Sequence, residues 1–130
     1  MIALSESQVK QAVEEYLQYG QNQGKWFFLR LNSGEAIVKR GDKSYKMQLC
    51  PKGTADFIVI QGGEVQMFNA IQKKIHKTHP VCFVTFVECK STNGKQSPEQ
   101  IEFEDRIKKL HCKYVIVRNS EELEEALRYD

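Results

Sequence analysis

The sequence predicts a single α/β domain over residues 1–130, with a central mixed β-sheet flanked by helices. The apolar runs at 57–60 and 81–87 are rich in the β-branched and aromatic side chains that strands favour. Apolar residues at helical spacing after Ser5, and again after Ser97, predict the flanking helices. With 41% hydrophobic content, the chain is long enough to bury one core.

The first predicted helix begins after Ser5, because Ser5 and Gln8 have the spacing of a capping box. Gly20 and Gly24 are expected to end it. At roughly 100° per residue, Glu6 falls inside the apolar arc of this helix. One explanation is that an acid in the first turn is stabilised by the helix dipole.

Strands and turns follow from composition in the next part of the chain. Aromatic residues within 25–31 predict the first strand, and the polar segment 32–52 predicts a long loop that can hold a hairpin around residues 41–42. The Gly62-Gly63 pair predicts a tight turn between two strands.

A helix, a short strand and a terminal helix are predicted to close the chain. Ser97, Pro98 and Gln100 combine an N-cap, a proline at the first helical position and a capping-box glutamine. The run 114–117 predicts the strand, and Ser120 is expected to cap the last helix. The helix after Ser97 is expected to have one buried face, formed by four apolar residues: Ile101, Phe103, Ile107 and Leu110.

Charged residues lie at the ends of the two strands that the sequence predicts most clearly. Asp56 precedes one, and Glu88-Cys89-Lys90 closes the other. Side chains alternate in a strand, so Glu88 and Lys90 project to one face. Removing such charges from water is costly unless they pair with each other or bind a metal. An interstrand ion pair at the end of the sheet explains them as well as a site does.

A site of this composition would suit phosphodiester hydrolysis. Two carboxylates supply the oxygen ligands that Mg²⁺ or Mn²⁺ prefers. A neighbouring lysine can position or deprotonate a metal-bound water, or neutralise charge that develops on the phosphate. The candidate residues are Asp56, Glu88 and Lys90.

Four segments, in their order along the chain, resemble the VRR-NUC family, the virus-type replication-repair nuclease branch of the PD-(D/E)XK superfamily. They are Arg30-Leu31-Asn32-Ser33-Gly34, Gly53-Thr54-Ala55-Asp56, Glu88-Cys89-Lys90 and Ser97-Pro98-Glu99-Gln100. The resemblance extends from Ser5 to Leu127 and implies a PD-(D/E)XK nuclease core. Residues 69–80 exceed what compact family members have between the two site strands, so they are predicted to be an insertion.

The resemblance also implies roles for individual residues. Asp56 and Glu88 would ligate Mg²⁺ or Mn²⁺ together with the backbone carbonyl of Cys89. Glu6 would match the family's N-terminal acid, which helps to hold the metal or its water. This second explanation for Glu6 stands beside the helix dipole.

The predicted catalytic set adds two residues to the metal-binding acids. Lys90 would activate or orient the attacking water, and Gln100 would orient a water or phosphate oxygen in addition to its capping role. The full set is Asp56, Glu88, Lys90 and Gln100.

Stand-alone members of the family act on branched DNA. The resemblance therefore implies a metal-dependent DNA endonuclease. The most specific prediction is a homodimer that resolves Holliday junctions. A symmetric dimer would present two sites to the strands of a two-fold symmetric junction. The alternatives are a flap or restriction-type endonuclease, and a non-catalytic DNA-binding subunit with the same fold.

The charge distribution is consistent with a nucleic-acid partner. The net charge is +2, but residues 121–130 carry −4, so residues 1–120 carry +6. Basic residues crowd the approach to Asp56 and the predicted insertion, where they suit phosphate contacts, although ordinary solvated loops explain each segment taken singly. The candidate DNA-binding residues are Arg30, Asn32, Lys39, Arg40, Lys52, Lys73, Lys74 and Lys77.

Other classes of protein find no support in the sequence. No run approaches the about 18 apolar residues of a membrane span, and the first residues are too few for a signal peptide. The four cysteines lack CxxC spacing, which predicts reduced thiols and no zinc site. The predicted location is the cytoplasm of a bacterium or of a phage-infected host cell.

Overall fold

A computed structural model describes residues 3–129 and confirms an α/β domain with a central mixed sheet and flanking helices. Four strands form the sheet in the order β1-β4-β5-β6, and β2 and β3 form a separate hairpin. The elements in chain order are α1 (Glu6–Asn22), β1 (Phe27–Arg30), β2 (Glu35–Arg40), β3 (Lys43–Gln48), β4 (Phe57–Asn69), β5 (Lys74–Cys89), α2 (Pro98–Lys109), β6 (Lys113–Val117) and α3 (Ser120–Ala126).

The register of the central strands determines where the site lies. β4 is antiparallel to both β1 and β5, and β5 is parallel to β6. Phe57 pairs with Val87 across β4 and β5. Asp56 and Glu88 are the next residues beyond this pair, so they lie side by side at one end of the two central strands.

The core lies between the sheet and the pair α1 and α3. The predicted capping box at Ser5 and Gln8 is present. Helix α1 continues through Gly20 to Asn22, so the prediction that Gly20 ends it was wrong. Gly20 is required for packing, because a Cβ there would overlap the ring of Trp26. The buried apolar residues of this core include Val9, Val13, Leu17, Phe28, Phe57, Val59, Val87, Val117, Leu123 and Leu127.

The predicted turn at Gly62-Gly63 was also wrong, because β4 runs without interruption through both glycines. Gly63 serves close packing, since a Cβ there would collide with the ring of Phe83. The turn lies between β4 and β5, where the Asn69 side chain accepts hydrogen bonds from the N–H groups of Ile71 and Gln72.

The β4–β5 hairpin extends well beyond the rest of the sheet. The last β1 pairing is Phe27 with Ile60, and β6 pairs with β5 only from Thr85 onward. Residues 62–83 therefore form a two-stranded ribbon, here called the distal ribbon, whose edges pair with no other strand of the described chain. The predicted insertion 69–80 makes up its tip. Its exposed large apolar side chains are Val65, Met67, Phe68, Ile71 and Ile75.

The other local predictions are confirmed in part. The β2–β3 hairpin forms around residues 41–42 as expected. The capping box of α2 is present, but Ile101 and Leu110 are exposed, because α2 contacts the sheet through Phe103, which packs edge-on against Phe86. The cap of α3 is Asn119 rather than the predicted Ser120, which is the first helical residue. Within residues 3–129, no helix combines the length and apolar character needed to span a membrane.

Candidate active site

Asp56 is held in place by the main chain of both neighbouring strands. Its Oδ2 accepts a hydrogen bond from the Cys89 N–H at 2.8 Å, and its carbonyl oxygen accepts one from the Leu31 N–H at 2.8 Å. The carboxylate therefore lies against the backbone of the Glu88-Cys89-Lys90 segment.

Glu88 is nearly enclosed, with 2% of the residue exposed. Its Oε1 accepts a hydrogen bond from Gln100 Nε2 at 3.1 Å and lies 3.8 Å from Lys90 Nζ. Its Oε2 is buried without a hydrogen-bond partner among the residues that the structure describes. A buried polar atom without a partner costs free energy, so an occupant that satisfies Oε2 would stabilise the site.

The environment of Glu88 strongly favours its protonated form. Burial, followed by the nearby Asp56 carboxylate, raises the pKa of Glu88 from 4.5 to about 8, and the Lys90 ammonium opposes this only in part. At neutral pH without a cation, Glu88 retains its proton. A divalent cation would reverse this balance by favouring the charged form.

This pKa predicts an unusual pH dependence of stability for the metal-free protein. The folded state binds more protons than the unfolded state between the ordinary pKa of Glu88, 4.5, and its raised pKa of about 8. The free energy of unfolding should therefore fall as pH rises through this window, by at most about 5 kcal/mol at about 1.4 kcal/mol per pKa unit. Denaturant unfolding in EDTA at several pH values measures this fall. Glu88→Gln should not show it, and an equal fall in that variant would contradict the assignment.

Two lysines and Glu6 surround the carboxylates. Lys90 Nζ lies 3.6 Å from Glu6 Oε1, and Lys10 Nζ lies 3.4 Å from Asp56 Oδ1 and 4.0 Å from Glu6 Oε2. Together with the contact between Lys90 and Glu88, these contacts form one continuous chain of acidic and basic side chains. Glu6 thus reaches the site, where its carboxylate contacts both ammonium groups.

Lys10 is a site residue that the sequence reasoning missed. It lies one turn after Glu6 on α1, and residues four apart share a helix face. That spacing was the available signal. Burial alone would lower the pKa of Lys10, but the carboxylates of Asp56 and Glu6 outweigh this effect and raise it. Lys10 therefore remains an ammonium group at neutral pH.

Gln100 performs a capping role and also contacts the acidic cluster. Its side-chain oxygen accepts a hydrogen bond from the Ser97 N–H at 2.9 Å in the capping box, while its Nε2 donates to Glu88. Gly53 allows α2 to approach closely enough for this contact. Gly53 has φ +92°, and a Cβ there would overlap the backbone of Glu99.

Cys89 contributes through its backbone. Burial, followed by the adjacent carboxylates of Asp56 and Glu88, raises the pKa of its thiol far above the usual range. The thiol is therefore not a nucleophile at neutral pH. The predicted metal contact through the Cys89 carbonyl requires only that this backbone lie beside Asp56, and the hydrogen bond from the Cys89 N–H places it there.

The residues present fit a hard divalent cation. Within residues 3–129, no three His, Cys, Asp or Glu side chains converge as a ligand set, and the two carboxylates at the paired strand ends are Asp56 and Glu88. Mg²⁺ sites commonly use one or two carboxylates and retain several waters. The unpartnered Glu88 Oε2 is an available oxygen donor of this kind.

The candidate DNA-binding residues fall into two groups. Arg30 and Lys52 lie near the site and form ion pairs with Glu14 at 3.0 Å and with Glu99 at 3.5 Å. Asn32 is the second residue after β1. The remaining residues lie on the two hairpins and are exposed: Lys39, Arg40, Lys73, Lys74 and Lys77.

The expectation that the basic residues of the insertion flank the acidic cluster was wrong. Lys77 and Glu88 both lie on β5, eleven positions apart. At about 3.3 Å per residue, roughly 35 Å separates them along the strand. Any contact of the distal ribbon with DNA would therefore be remote from the carboxylates.

Comparisons of the chain with models of known protein families, with curated protein sequences and with solved structures found no match.

Proposed function

We propose that this protein is a metal-dependent DNA endonuclease of the VRR-NUC type, with a PD-(D/E)XK core. The observation that carries the proposal is the buried Glu88 carboxylate, with one oxygen unpartnered within the described chain, beside Asp56 and Lys90 at the end of two adjacent strands. A purely structural ion pair with Lys90 does not account for this arrangement, because burial and the neighbouring Asp56 carboxylate raise the pKa of Glu88 and disfavour its charged form unless a cation joins the two acids.

The chain's own residues define how such a site would work. Mg²⁺ or Mn²⁺, when bound, would polarise the phosphate and acidify a water. Asp56, Glu88 and the Cys89 carbonyl would hold the ion. Gln100 holds Oε1 of Glu88, which leaves Oε2 for the cation.

Lys90 is suited to act on the attacking water or on the phosphate. Its side chain is 10% exposed, and it is held between Glu88 and Glu6. A fixed ammonium in a partly desolvated site interacts strongly with the charge that develops on a phosphate oxygen. In this arrangement Glu6 positions Lys90 and completes the acidic rim of the site.

Branched DNA and a homodimer form the finer part of the proposal. One copy of this domain offers a junction a limited surface, whereas two copies double the basic face. The distal ribbon supports a protein partner as well, because its edges pair with no other strand between residues 3 and 129 and Ile71 at its tip is 94% exposed. A two-stranded ribbon is marginally stable alone, so packing against a second copy would stabilise it.

Incubation with a set of labelled DNA substrates tests the proposal. The substrates are a four-way junction, a flap, single-stranded DNA and linear duplex, each with Mg²⁺, Mn²⁺ or EDTA. We expect paired, symmetry-related nicks in the junction with either metal and none in EDTA, and light scattering should show a dimer. Cleavage should decrease as salt increases, because phosphate contacts release counterions.

The outcomes separate the alternatives. Preference for a flap, or equal cleavage of linear duplex by a monomer, would replace the junction-resolving assignment with a flap or restriction-type endonuclease. Binding without cleavage under every condition would support the non-catalytic subunit. The presence of Asp56, Glu88 and Lys90 together favours catalysis over this last alternative.

A further inference from the structure

Lys10 is a cation of the site that no part of the proposed chemistry uses. Its Nζ is closer to Asp56 Oδ1, at 3.4 Å, than to Glu6 Oε2, at 4.0 Å. Its principal partner is thus a predicted metal ligand just before β4, and the contact with Glu6 on its own helix is the longer one.

The two lysines of the site differ in their freedom to move. The Lys90 side chain is 10% exposed, whereas that of Lys10 is 32% exposed. Lysine has a long flexible stem, so Lys10 can move its ammonium group into solvent, and the main cost of this move is the lost contact with Asp56. Lys90 is enclosed between Glu88 and Glu6 and has less freedom.

A divalent cation bound to Asp56 and the Lys10 ammonium would repel each other. Charges a few ångströms apart near a protein surface interact by amounts that change binding constants severalfold or more. The present position of Lys10 is therefore favourable only while no divalent cation is bound.

We propose that Lys10 is an internal counter-ion that competes with a divalent cation for the Asp56 carboxylate and so lowers the metal affinity of the site. The inference rests on the proposed function for the identity of the metal ligands. Lys10 is a positioning residue here, because it acts through Asp56. In the metal-free protein it balances the charge of Asp56, and on metal binding it moves away.

Calorimetric titration of the DNA-free protein with Mn²⁺ tests this inference. Lys10→Met should bind Mn²⁺ on the order of tenfold more tightly than wild type, because the competing charge is gone. Lys10→Arg keeps the charge and should resemble wild type. Lys109→Met is a matched control, because it also removes one lysine of an ion pair, with Asp105 at 2.9 Å, but far along α2.

Thermal unfolding in EDTA supplies a second measurement. Lys10→Met should melt at a lower temperature than wild type, because Asp56 loses its counter-ion, while Lys109→Met should change little, as exposed ion pairs contribute little. If Lys10→Met does not fold, Lys10→Gln takes its place in both measurements. Equal or weaker Mn²⁺ binding by the folded variant would overturn the inference.

The result is distinguishable from a failure of the proposed function. Tighter Mn²⁺ binding by Lys10→Met, with no cleavage of any DNA by the wild type, would overturn the nuclease proposal alone. Normal cleavage by the wild type, with unchanged affinity in Lys10→Met, would overturn the counter-ion alone. Absence of Mn²⁺ binding by the wild type would overturn both.

Discussion

Asp56→Asn and Glu88→Gln are each expected to abolish DNA cleavage while leaving the fold intact. Each substitution removes the charge of a proposed metal ligand and preserves the shape of the side chain. After Asp56→Asn the amide oxygen can still accept a hydrogen bond from the Cys89 N–H, and after Glu88→Gln the amide oxygen can still accept one from Gln100. The loss should therefore appear in metal binding and turnover, while the melting temperature of the metal-free protein holds or rises, because like charges no longer repel at the empty site.

Cleavage of labelled junction DNA, measured with Mn²⁺ titrated to saturation, checks this expectation. Asp105→Asn serves as the control, because it neutralises an exposed carboxylate of α2 that pairs with Lys109 outside the site. Wild-type rates in either site variant would refute the metal assignment. Loss of activity in the control as well would point to a general effect of charge on DNA binding.

The sequence predicted the acidic end of the sheet more fully than the rest of the molecule. Asp56 and Glu88 could be placed side by side because each stands at the end of a strong apolar strand, and burial dictates the register of such strands. The capping box placed Gln100 at the start of α2, and the family resemblance implied that it lies beside the acids. These features depend on local pattern, which is visible in one sequence.

The errors arose where a residue has more than one structural use. The sequence pattern predicts that Gly20 ends a helix and that Gly63 belongs to a turn. In the structure both make room for an aromatic ring, Trp26 beside Gly20 and Phe83 beside Gly63. A sequence does not show which ring will approach a glycine. Lys10 was overlooked for a similar reason, since its partner Asp56 is distant along the chain and only the tertiary fold brings them together.

The distal ribbon shows the same limit on a larger scale. The pair Gly62-Gly63 has the composition of a turn, but cross-strand pairing continues past it to Asn69 and Lys74. As a result, the basic residues of the tip were expected beside the carboxylates and instead lie far along the ribbon. Strand length depends on pairing between distant residues, which composition alone does not determine.

Lys90→Ala is expected to slow cleavage at saturating metal on the order of 10²-fold or more, the usual size of a proton-transfer or charge-stabilising contribution. Lys90 is the enclosed ammonium of the site, 3.8 Å from Glu88 Oε1, so water would replace it poorly. Lys90→Met, which retains the apolar stem, should be equally slow if the ammonium group is what matters.

Metal binding decides between the two possible roles of Lys90. If it acts on the attacking water or the phosphate, single-turnover rates at saturating Mn²⁺ should fall while calorimetry shows that Mn²⁺ still binds. If it only balances the charge of Glu88, metal affinity should change and the rate at saturation should recover. Lys109→Ala, on the exposed end of α2, controls for the loss of one positive charge. Lost metal affinity with normal turnover at saturation would therefore reverse the role given to Lys90, because its ammonium would then serve the carboxylates and not the reaction.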